Sequence, residues 1–243
     1  MNNFWDTVET IPEGMGFTHY DSCHLAWLAG FVVFAVLSSV IYRRSKEEHR
    51  KIIRWVFAAL IVADELFKMV CLFIGDRYMA DYLPLHLCSI NIFLIAAHAV
   101  KPTKLLNNFL YLICIPGALA ALLFPTWTEL PPTSFMHLHS FSIHILLATY
   151  PIMLTAGKDI VPDVKYLPKC MLLLAVLAVP ALIVNLLCDT NFMFLMYAEP
   201  GNPLYLFETA FGSHLLGFPI LIAAVIGVMY LPSYLIKKCK RNV

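Results

Sequence analysis

A short apolar stretch, LPLHLCSINIF at residues 83–93, carries three side chains that can do chemistry: His86, Cys88 and Asn91. A cysteine becomes a nucleophile as its thiolate, which needs a base or a cation nearby. Histidine suits the role of base, since its ordinary pKa is about 6.5. The stretch SIHILLATY supplies one in His144. Cys88 and His144 are therefore a candidate nucleophile and base. The alternative is an ordinary small residue and a histidine that packs between helices.

The medium around these residues is set by an unusually apolar composition. The chain is 60% hydrophobic and 14% charged over 243 residues, whereas soluble proteins average about 45–50% and about 25%. Its net charge is +1 and no basic block is interleaved with aromatics, which argues against a nucleic-acid partner. The seven cysteines are scattered without a CxxC pair, so neither a disulfide framework nor a zinc finger is expected. The composition predicts an integral membrane protein.

Seven apolar runs approach the length of about 20 residues that crosses a bilayer. They are residues 24–42, 52–74, 84–100, 105–124, 136–156, 167–188 and 213–236. All the Lys and Arg residues except Lys68 and Arg77 lie in every second connection, in the first three residues of the run that follows it, or after the last run. Because such residues mark cytoplasmic loops, the pattern predicts an all-α polytopic bundle of seven transmembrane helices, with the N-terminus outside and the C-terminus cytoplasmic.

This topology divides the chain into three parts and gives a multi-pass protein of the cell membrane. Residues 1–23 form an extracytoplasmic N-terminal segment without the basic start of a secretory signal. Residues 24–236 form the seven-helix transmembrane domain, and residues 237–243 form a basic cytoplasmic tail.

Polar side chains within the runs collect in the outer half of the membrane. Such residues cost about 2.5–3.5 kcal/mol each when charged, and they usually mark function. The set is Glu65, His86, Cys88, Asn91, Ser140, His144, Asn185 and His214. The inner half is almost without polar residues, and His98, near the cytoplasmic surface, is given no role. Convergence on one level predicts a site that opens to the outer side.

Helical spacing adds three expectations about this set. Asp64 and Lys68 are four residues apart and should neutralise each other, which leaves Glu65 in need of another partner. His86 lies about 200° around a helix from Cys88, so the two cannot face one pocket unless Pro84 distorts the first turn. His137 and His139 are expected at the level of the lipid headgroups.

Four segments resemble a known family. LPLHLCSIN, GALAALLFPTW, SIHILLATYPIM and VNLLCDTNFMFL are similar to YwaF-type bacterial integral membrane proteins, of which transmembrane protein 164 of animals looks like a relative. The resemblance spans most of residues 50–235. It implies an enzyme that moves fatty acyl chains between phospholipids with a cysteine and a histidine, which by motif are Cys88 and His144. His86, Asn185 and Asn191 fall on further matching positions.

The leading hypothesis is therefore a phospholipid acyltransferase or transacylase that uses no cofactor and no metal. Its partners would be membrane phospholipids and lysophospholipids, and His86 or Asn91 would donate to the oxyanion. The substrate-binding residues would be His86, Asn91, Glu65, Ser140, Asn185, Asn191 and His214. One alternative is a transporter or small-ligand-binding membrane protein. Another is a zinc-dependent lipid hydrolase, whose ligands would be His86, His144, His214 and Glu65.

Overall fold

The structure, a computed structural model, describes residues 3–198 and 202–241, and every regular element within these ranges is a helix. The α-helices are α1 Ser22–Arg44, α2 Glu47–Ile74, α3 Leu87–Val100, α4 Lys104–Phe109, α5 Ile115–Leu123, α6 Phe135–Ala156, α7 Leu167–Cys188, α8 Tyr205–Phe211 and α9 Gly217–Arg241. A π-helical turn, Leu110–Cys114, joins α4 to α5. Short 3-10 turns are Asn3–Trp5, Ala80–Tyr82, Val164–Tyr166, Phe192–Phe194 and His214–Leu216.

Six helical segments in the described part of the chain are long and apolar enough to cross a membrane. They are Ser22–Arg44, Ala80–Val100, Lys104–Leu123, Phe135–Ala156, Val164–Cys188 and His214–Leu231. They coincide with six of the seven predicted runs. The all-helical, multi-pass architecture is therefore confirmed, while the seventh span and the sides on which the termini lie stay predictions.

Helix α2 is the predicted span that is not among the six. With 28 residues it is long enough to cross a bilayer. It differs from the others because Asp64, Glu65 and Lys68 interrupt its apolar sequence. These charges are the reason why composition alone does not identify it as a span.

Helix α6 is the central helix of the bundle. It packs against α1, α2 and α5, and 67% of its most apolar window is buried, compared with 17% in α1. The ring of Trp27 on α1 stacks on Phe141 of α6 at 4.9 Å between centroids. A second apolar cluster joins the π-helical turn to α7 and α9 around Phe109 and Cys170. Side chains on α6 are consequently the ones best placed for chemistry inside the bundle.

The alternating helix directions give the bundle two ends. At the upper end, α1, α3 and α6 begin and α5 finishes, and His24 of α1 contacts the Leu122 carbonyl at 2.7 Å through Nε2. Residues 3–21 pack over this end: the Phe17 amide donates to the Thr128 carbonyl at 2.8 Å, and Tyr82 donates to Glu9 at 2.8 Å. The lower end is where α1, α3 and α6 finish and α2 begins. The upper end is therefore covered by the chain itself.

Candidate active site

Three helices bring polar side chains together below the upper end. We call this group the polar cluster. It consists of Asp64, Glu65 and Lys68 on α2, His86, Cys88 and Asn91 at the start of α3, and His139, Ser142 and His144 on α6. It contains six of the residues that the sequence nominated for the site: Glu65, His86, Cys88, Asn91, His144 and, through its main chain, Ser140.

The ion pairs of the cluster differ from the expected ones. Lys68 Nζ lies 2.6 Å from Glu65 Oε1, three residues earlier on the same helix. Asp64 instead reaches α6, where Oδ2 lies 2.8 Å from His139 Nδ1 and Oδ1 accepts a hydrogen bond from Ser142 at 3.0 Å. The predicted Asp64–Lys68 pair is therefore wrong. Asp64 pairs with residues of a neighbouring helix rather than with the lysine one turn away on its own helix. Sequence spacing cannot predict this choice.

The two histidines expected at the headgroups are buried. His139 packs beside Asp64, and its Nε2 lies 3.8 Å from Glu65. His137 is fully buried: its Nε2 accepts from the Trp27 indole at 3.0 Å, and its Nδ1 donates to the Leu130 carbonyl at 3.0 Å. They are therefore not water-exposed interfacial residues, while the membrane level at which they lie stays a prediction.

His86 and Cys88 stand at the start of α3, two residues apart. His86 is the N-cap of α3, with extended backbone angles of φ −65° and ψ 152°, so the 200° separation of a regular helix does not apply to it. Cys88 lies in the first turn of α3, where unpaired backbone N–H groups carry partial positive charge. The helix end thus favours negative charge at Cys88.

The ring of His144 is fixed in orientation. Its Nδ1 lies 2.6 Å from the main-chain carbonyl of Ser140, one turn earlier, and the ring stacks on Trp127 at 5.3 Å with an interplanar angle of 11°. A carbonyl only accepts, so Nδ1 carries the proton and Nε2 keeps its lone pair. The Ser140 contribution is therefore a carbonyl that orients the histidine.

Cys88 and His144 belong to the same cluster without a direct bond. In residues 3–198 and 202–241, no hydrogen bond joins the two side chains. Catalytic hydrogen bonds often tighten only once substrate is bound. Their pairing as nucleophile and base stays a prediction.

Asn91 is the clearest unpaired polar group in the cluster. Its side chain is 3% exposed, and its Oδ1 is buried without a hydrogen-bond partner among the residues that the structure describes. An unmade hydrogen bond in the interior costs about 1–3 kcal/mol. Asn91 also lies one turn from Cys88 on the same face of α3. A ligand beside Cys88 would therefore find an unused amide.

Asn185 and Asn191 serve the loop that covers His86. Asn185 Oδ1 accepts from the Phe192 amide at 2.7 Å and from Thr190 at 3.0 Å, and its Nδ2 donates back to the Phe192 carbonyl at 3.0 Å. Asn191 bonds in the same way to the backbone of residues 196–197. Their hydrogen-bonding capacity is largely used within the loop. They act as positioning residues for this loop in the structure.

The loop so held, residues 189–198, touches the cluster through one histidine. The Phe192 ring packs edge-on against His86 at 5.0 Å, and the Met193 amide donates to His86 Nδ1 at 3.4 Å. Met193 and Phe194 adopt positive φ angles of 58° and 54°, which non-glycine residues seldom do. The resemblance of this segment to the family motif thus corresponds to a strained cover over His86.

His214 lies outside the polar cluster. Its Nδ1 is 3.2 Å from Glu208 Oε2, and the same carboxylate accepts from the Ala198 amide at 3.0 Å. His214 therefore anchors the far end of the loop. Among the described residues, no group of three or more His, Cys, Asp or Glu is placed to hold a metal ion. The proposed zinc ligands, His86, His144, His214 and Glu65, are accordingly not assembled.

Two open grooves lie away from the cluster. One, of about 390 Å³, runs between α2 and α3 and is entirely apolar; its lining is Trp55, Ala58, Ala59, Val62, Ala96, Ala97 and Val100. The other, of about 380 Å³, lies beside Arg43 and Arg44 at the lower end. Neither contains a residue of the polar cluster.

The lower end holds a second polar group that the sequence did not reveal. We call it the lower network; its members are Tyr42, Arg50, Arg54, His98, Asn107, Tyr150 and Asp159. Asp159 pairs with both arginines at 3.0 Å, and Tyr42 donates to it at 2.5 Å. His98 joins the Tyr150 hydroxyl at 2.9 Å and Asn107 at 2.8 Å. These residues come from α1, α2, α3, α4, α6 and the segment after α6, so no local sequence pattern predicts the network.

Fold and site define an all-helical integral membrane protein with a buried polar cluster at one end. The TMEM164 family profile matches residues 16–230, which is most of the chain. The chain belongs to the TMEM164 family, and this confirms the expected relationship to transmembrane protein 164. No curated protein and no solved structure matches it.

Proposed function

We propose that this protein is a membrane-embedded phospholipid acyltransferase or transacylase of the cell membrane. Cys88 is the nucleophile and His144 the base, and the substrates are phospholipids and lysophospholipids. Membership of the TMEM164 family and the acyl-transfer chemistry implied by the resemblance support this choice. The observation that carries the proposal is the fixed ring of His144, whose unprotonated Nε2 is available in the cluster that contains Cys88.

The environment of Cys88 suits a thiol that must ionise during the reaction. An apolar bundle opposes a charged thiolate, whereas the partial positive charge in the first turn of α3 favours it. The thiol therefore stays protonated until a base removes the proton, and His144 supplies that base. A thiolate that forms only with substrate in place is protected from side reactions.

The chemistry proceeds in two balanced halves. His144 Nε2 takes the proton of Cys88, and the sulfur attacks the ester carbonyl carbon of a phospholipid. The carbon–oxygen ester bond breaks, the leaving lysolipid oxygen takes the proton from His144, and a thioester remains on Cys88. The hydroxyl of a second lysolipid then loses its proton to His144 and attacks the thioester. The sulfur leaves and is reprotonated.

Asn91 completes the site as the donor to the oxyanion that forms in each half. It lies one turn from Cys88, and the atom that would donate is Nδ2; the atom that is buried without a partner in the described part of the chain is the acceptor Oδ1 of the same amide. A donor aimed at a developing oxyanion is typically worth about 10²–10³ in rate. His86 is the second candidate donor: Met193 donates to its Nδ1, so its proton is on Nε2.

Seven spans, with the N-terminus outside and the C-terminus cytoplasmic, belong to the same proposal. Helix α2 is the seventh span, because its three charged side chains are paired within the bundle rather than left facing lipid. With this topology the cluster lies in the outer half of the bilayer. A lipid substrate can then reach it from the membrane.

The test is acyl transfer by the purified protein in lipid vesicles, with a labelled phospholipid donor and a lysophospholipid acceptor. We expect Cys88→Ala to abolish transfer and His144→Gln to lower it by about 10²–10⁴-fold. Cys71→Ala is the matched control, since Cys71 is a free cysteine of α2 that does not belong to the cluster. Full activity in Cys88→Ala would remove the cysteine mechanism.

The alternative function, a transporter, needs a continuous path with polar groups from one face of the membrane to the other. The polar cluster and the lower network occupy opposite ends, and the lower network is closed by its own hydrogen bonds. Solute flux into vesicles that persists in the Cys88→Ala, His144→Gln double variant would favour the transporter.

A further inference from the structure

Two arginines at the lower end of the bundle have no acidic partner. Arg43 and Arg44, in the last turn of α1, are exposed, and within the described ranges of the chain neither guanidinium forms an ion pair or a hydrogen bond. By contrast, Arg50 and Arg54 at the same end both pair with Asp159 at 3.0 Å. The charges of Arg43 and Arg44 are thus available to a ligand, whereas those of Arg50 and Arg54 are used by the fold.

A groove of about 380 Å³ contains both of these arginines in its wall. Its lining is Val40, Arg43 and Arg44, which are spaced by three and four residues and therefore lie on one face of α1. A guanidinium group offers five N–H donors in a planar fork that matches the oxygens of a phosphate. Two such forks beside one groove suit a ligand that carries a phosphate.

The face of α1 above the groove is apolar and uncovered. Val33, Val36 and Leu37 continue the face of Val40 toward the middle of the helix, and all three are exposed. In the most apolar window of α1, which is a candidate span, 17% of the residues are buried within the bundle. An occupant of the groove therefore meets positive charge at one end and a lipid-facing apolar surface at the other.

The length of α1 places the two arginines at the level of the lipid headgroups. The helix has 23 residues, which is roughly 35 Å at the rise of an α-helix, and the hydrocarbon core of a bilayer is about 30 Å thick. The last turn of a helix that spans this core lies beside the phosphates of one leaflet. A free phosphate would use the charge alone, whereas a phospholipid uses the charge and the apolar face together.

We propose that Val40, Arg43 and Arg44 form a binding site for an anionic phospholipid of the leaflet at the lower end, with its phosphate between the two guanidinium groups and an acyl chain along the exposed face of α1. Two cations without a carboxylate favour a headgroup with net negative charge over a zwitterion, whose own cation offsets the phosphate. With the proposed topology this is the cytoplasmic leaflet, which carries the anionic lipids. The site is separate from the polar cluster and independent of the chemistry of Cys88.

The test is the binding of a fluorescent phosphatidylglycerol to the purified full chain in micelles of an uncharged detergent, with a phosphatidylcholine of the same acyl chains for comparison. We expect Arg43→Gln, Arg44→Gln to weaken phosphatidylglycerol binding about thirtyfold, since each basic residue near a membrane surface contributes about fivefold, and to leave phosphatidylcholine binding unchanged. Arg43→Lys, Arg44→Lys keeps the charge and loses the planar forks, so it should retain part of the affinity.

Two further variants distinguish a site from general attraction to a basic surface. Lys101→Gln, Lys104→Gln removes the same charge from exposed positions of the same end that do not line the groove, and it should leave the affinity nearly unchanged. Val40→Trp keeps every charge and fills the groove, so it should weaken phosphatidylglycerol binding. The substituted side chains of Val40, Arg43 and Arg44 are exposed, so thermal unfolding should show that these variants keep the fold.

The outcomes decide between a lipid site and its alternatives. Equal losses in the arginine and lysine double variants would show attraction to a basic surface and would overturn the inference, as would unchanged binding in Val40→Trp or equal affinity for the two lipids. Displacement of the lipid by inorganic phosphate at the same concentration would exclude a contribution of the acyl chain and overturn it as well. Selective loss in Arg43→Gln, Arg44→Gln together with loss in Val40→Trp supports the site, whatever the transfer activity of Cys88→Ala.

Discussion

The two ends of the bundle differ in how fully their buried polar groups are hydrogen-bonded. In the lower network Asp159 has three partners, and both ring nitrogens of His98 are engaged. In the polar cluster Asn91 has no hydrogen bond within the described residues, Lys68 uses one donor of three, and His144 uses one ring nitrogen. The polar groups of the lower network thus have hydrogen-bond partners, whereas several groups of the polar cluster have hydrogen-bonding capacity that is not used.

This difference separates stability from function. Paired polar groups between membrane helices contribute on average about 0.6 kcal/mol each, whereas a buried group without a partner destabilises the fold by about 1–3 kcal/mol. An incomplete cluster therefore weakens the protein unless a ligand completes it. Variants should accordingly affect stability at the lower end and acyl transfer at the upper end.

The largest expected effect is on activity, at Asn91. Asn91→Leu keeps the volume of the side chain and removes the unpaired amide. We expect acyl transfer to fall about 10²–10³-fold, because the oxyanion loses a donor, while thermal stability stays the same or rises because a buried unpaired group is gone. Transfer assays and thermal unfolding of the same preparation measure both quantities.

Asn107 provides the control for that change at the other end. It is an asparagine whose Oδ1 contacts His98 at 2.8 Å and whose Nδ2 donates to the Asp159 carbonyl at 3.1 Å. Asn107→Leu should lower thermal stability and leave the transfer rate per folded molecule unchanged. The contrast between the two ends would be lost if Asn91→Leu proved destabilising and Asn107→Leu reduced the rate.

The next effect is on stability, at Asp159. Asp159→Asn removes a charge that pairs with Arg50 and Arg54 at 3.0 Å. We expect the free energy of unfolding to fall by about 2–3 kcal/mol, less than the 3–5 kcal/mol of a fully buried pair, because the Asp159 side chain is 21% exposed. Reversible unfolding in mixed micelles measures it. A specific activity that fell with stability would show that the two ends are coupled.

The sequence predicts the helices better than it predicts their contacts. Hydropathy locates six spans, since a bilayer imposes length and composition on each helix separately. The π-helical turn Leu110–Cys114 has no such signal. Neither has the pairing of Asp64 with His139, which depends on the distance between α2 and α6. Spacing rules treat one helix at a time, and they failed where two helices meet.

The site shows the same division between local and non-local information. The residue types and motif spacing selected Cys88, Asn91 and His144 without the structure. The position of His86 as the N-cap needed coordinates, because the rotation of a regular helix does not apply to a residue with extended backbone angles. The contact of Lys68 with Glu65 needed them too, since its expected partner was Asp64. Asp159 was missed because its partners lie more than one hundred residues away.

The smallest effects come from single hydroxyl groups, and they give the finest comparison between the two ends. Tyr150→Phe at the lower end removes the 2.9 Å contact with His98. Ser142→Ala at the upper end removes the hydrogen bond to Asp64 at 3.0 Å. The Ser142 hydroxyl also lies 2.5 Å from the carbonyl of Leu138, which belongs to the same helix. We expect Tyr150→Phe to cost about 0.6 kcal/mol and Ser142→Ala to cost less.

The two stability costs differ because the two hydroxyl groups lose different hydrogen bonds when the protein unfolds within the membrane. The Tyr150 hydroxyl loses a partner on another helix, whereas Ser142 keeps its intrahelical carbonyl as long as α6 stays helical. Ser142→Ala also removes one of the two contacts of Asp64, which keeps His139 as a partner in the polar cluster, so a change of a few fold in transfer rate should accompany a negligible loss of stability. Thermal unfolding and initial transfer rates of both variants decide the point, and a larger stability loss in Ser142→Ala would place the cluster among the structural elements of the fold.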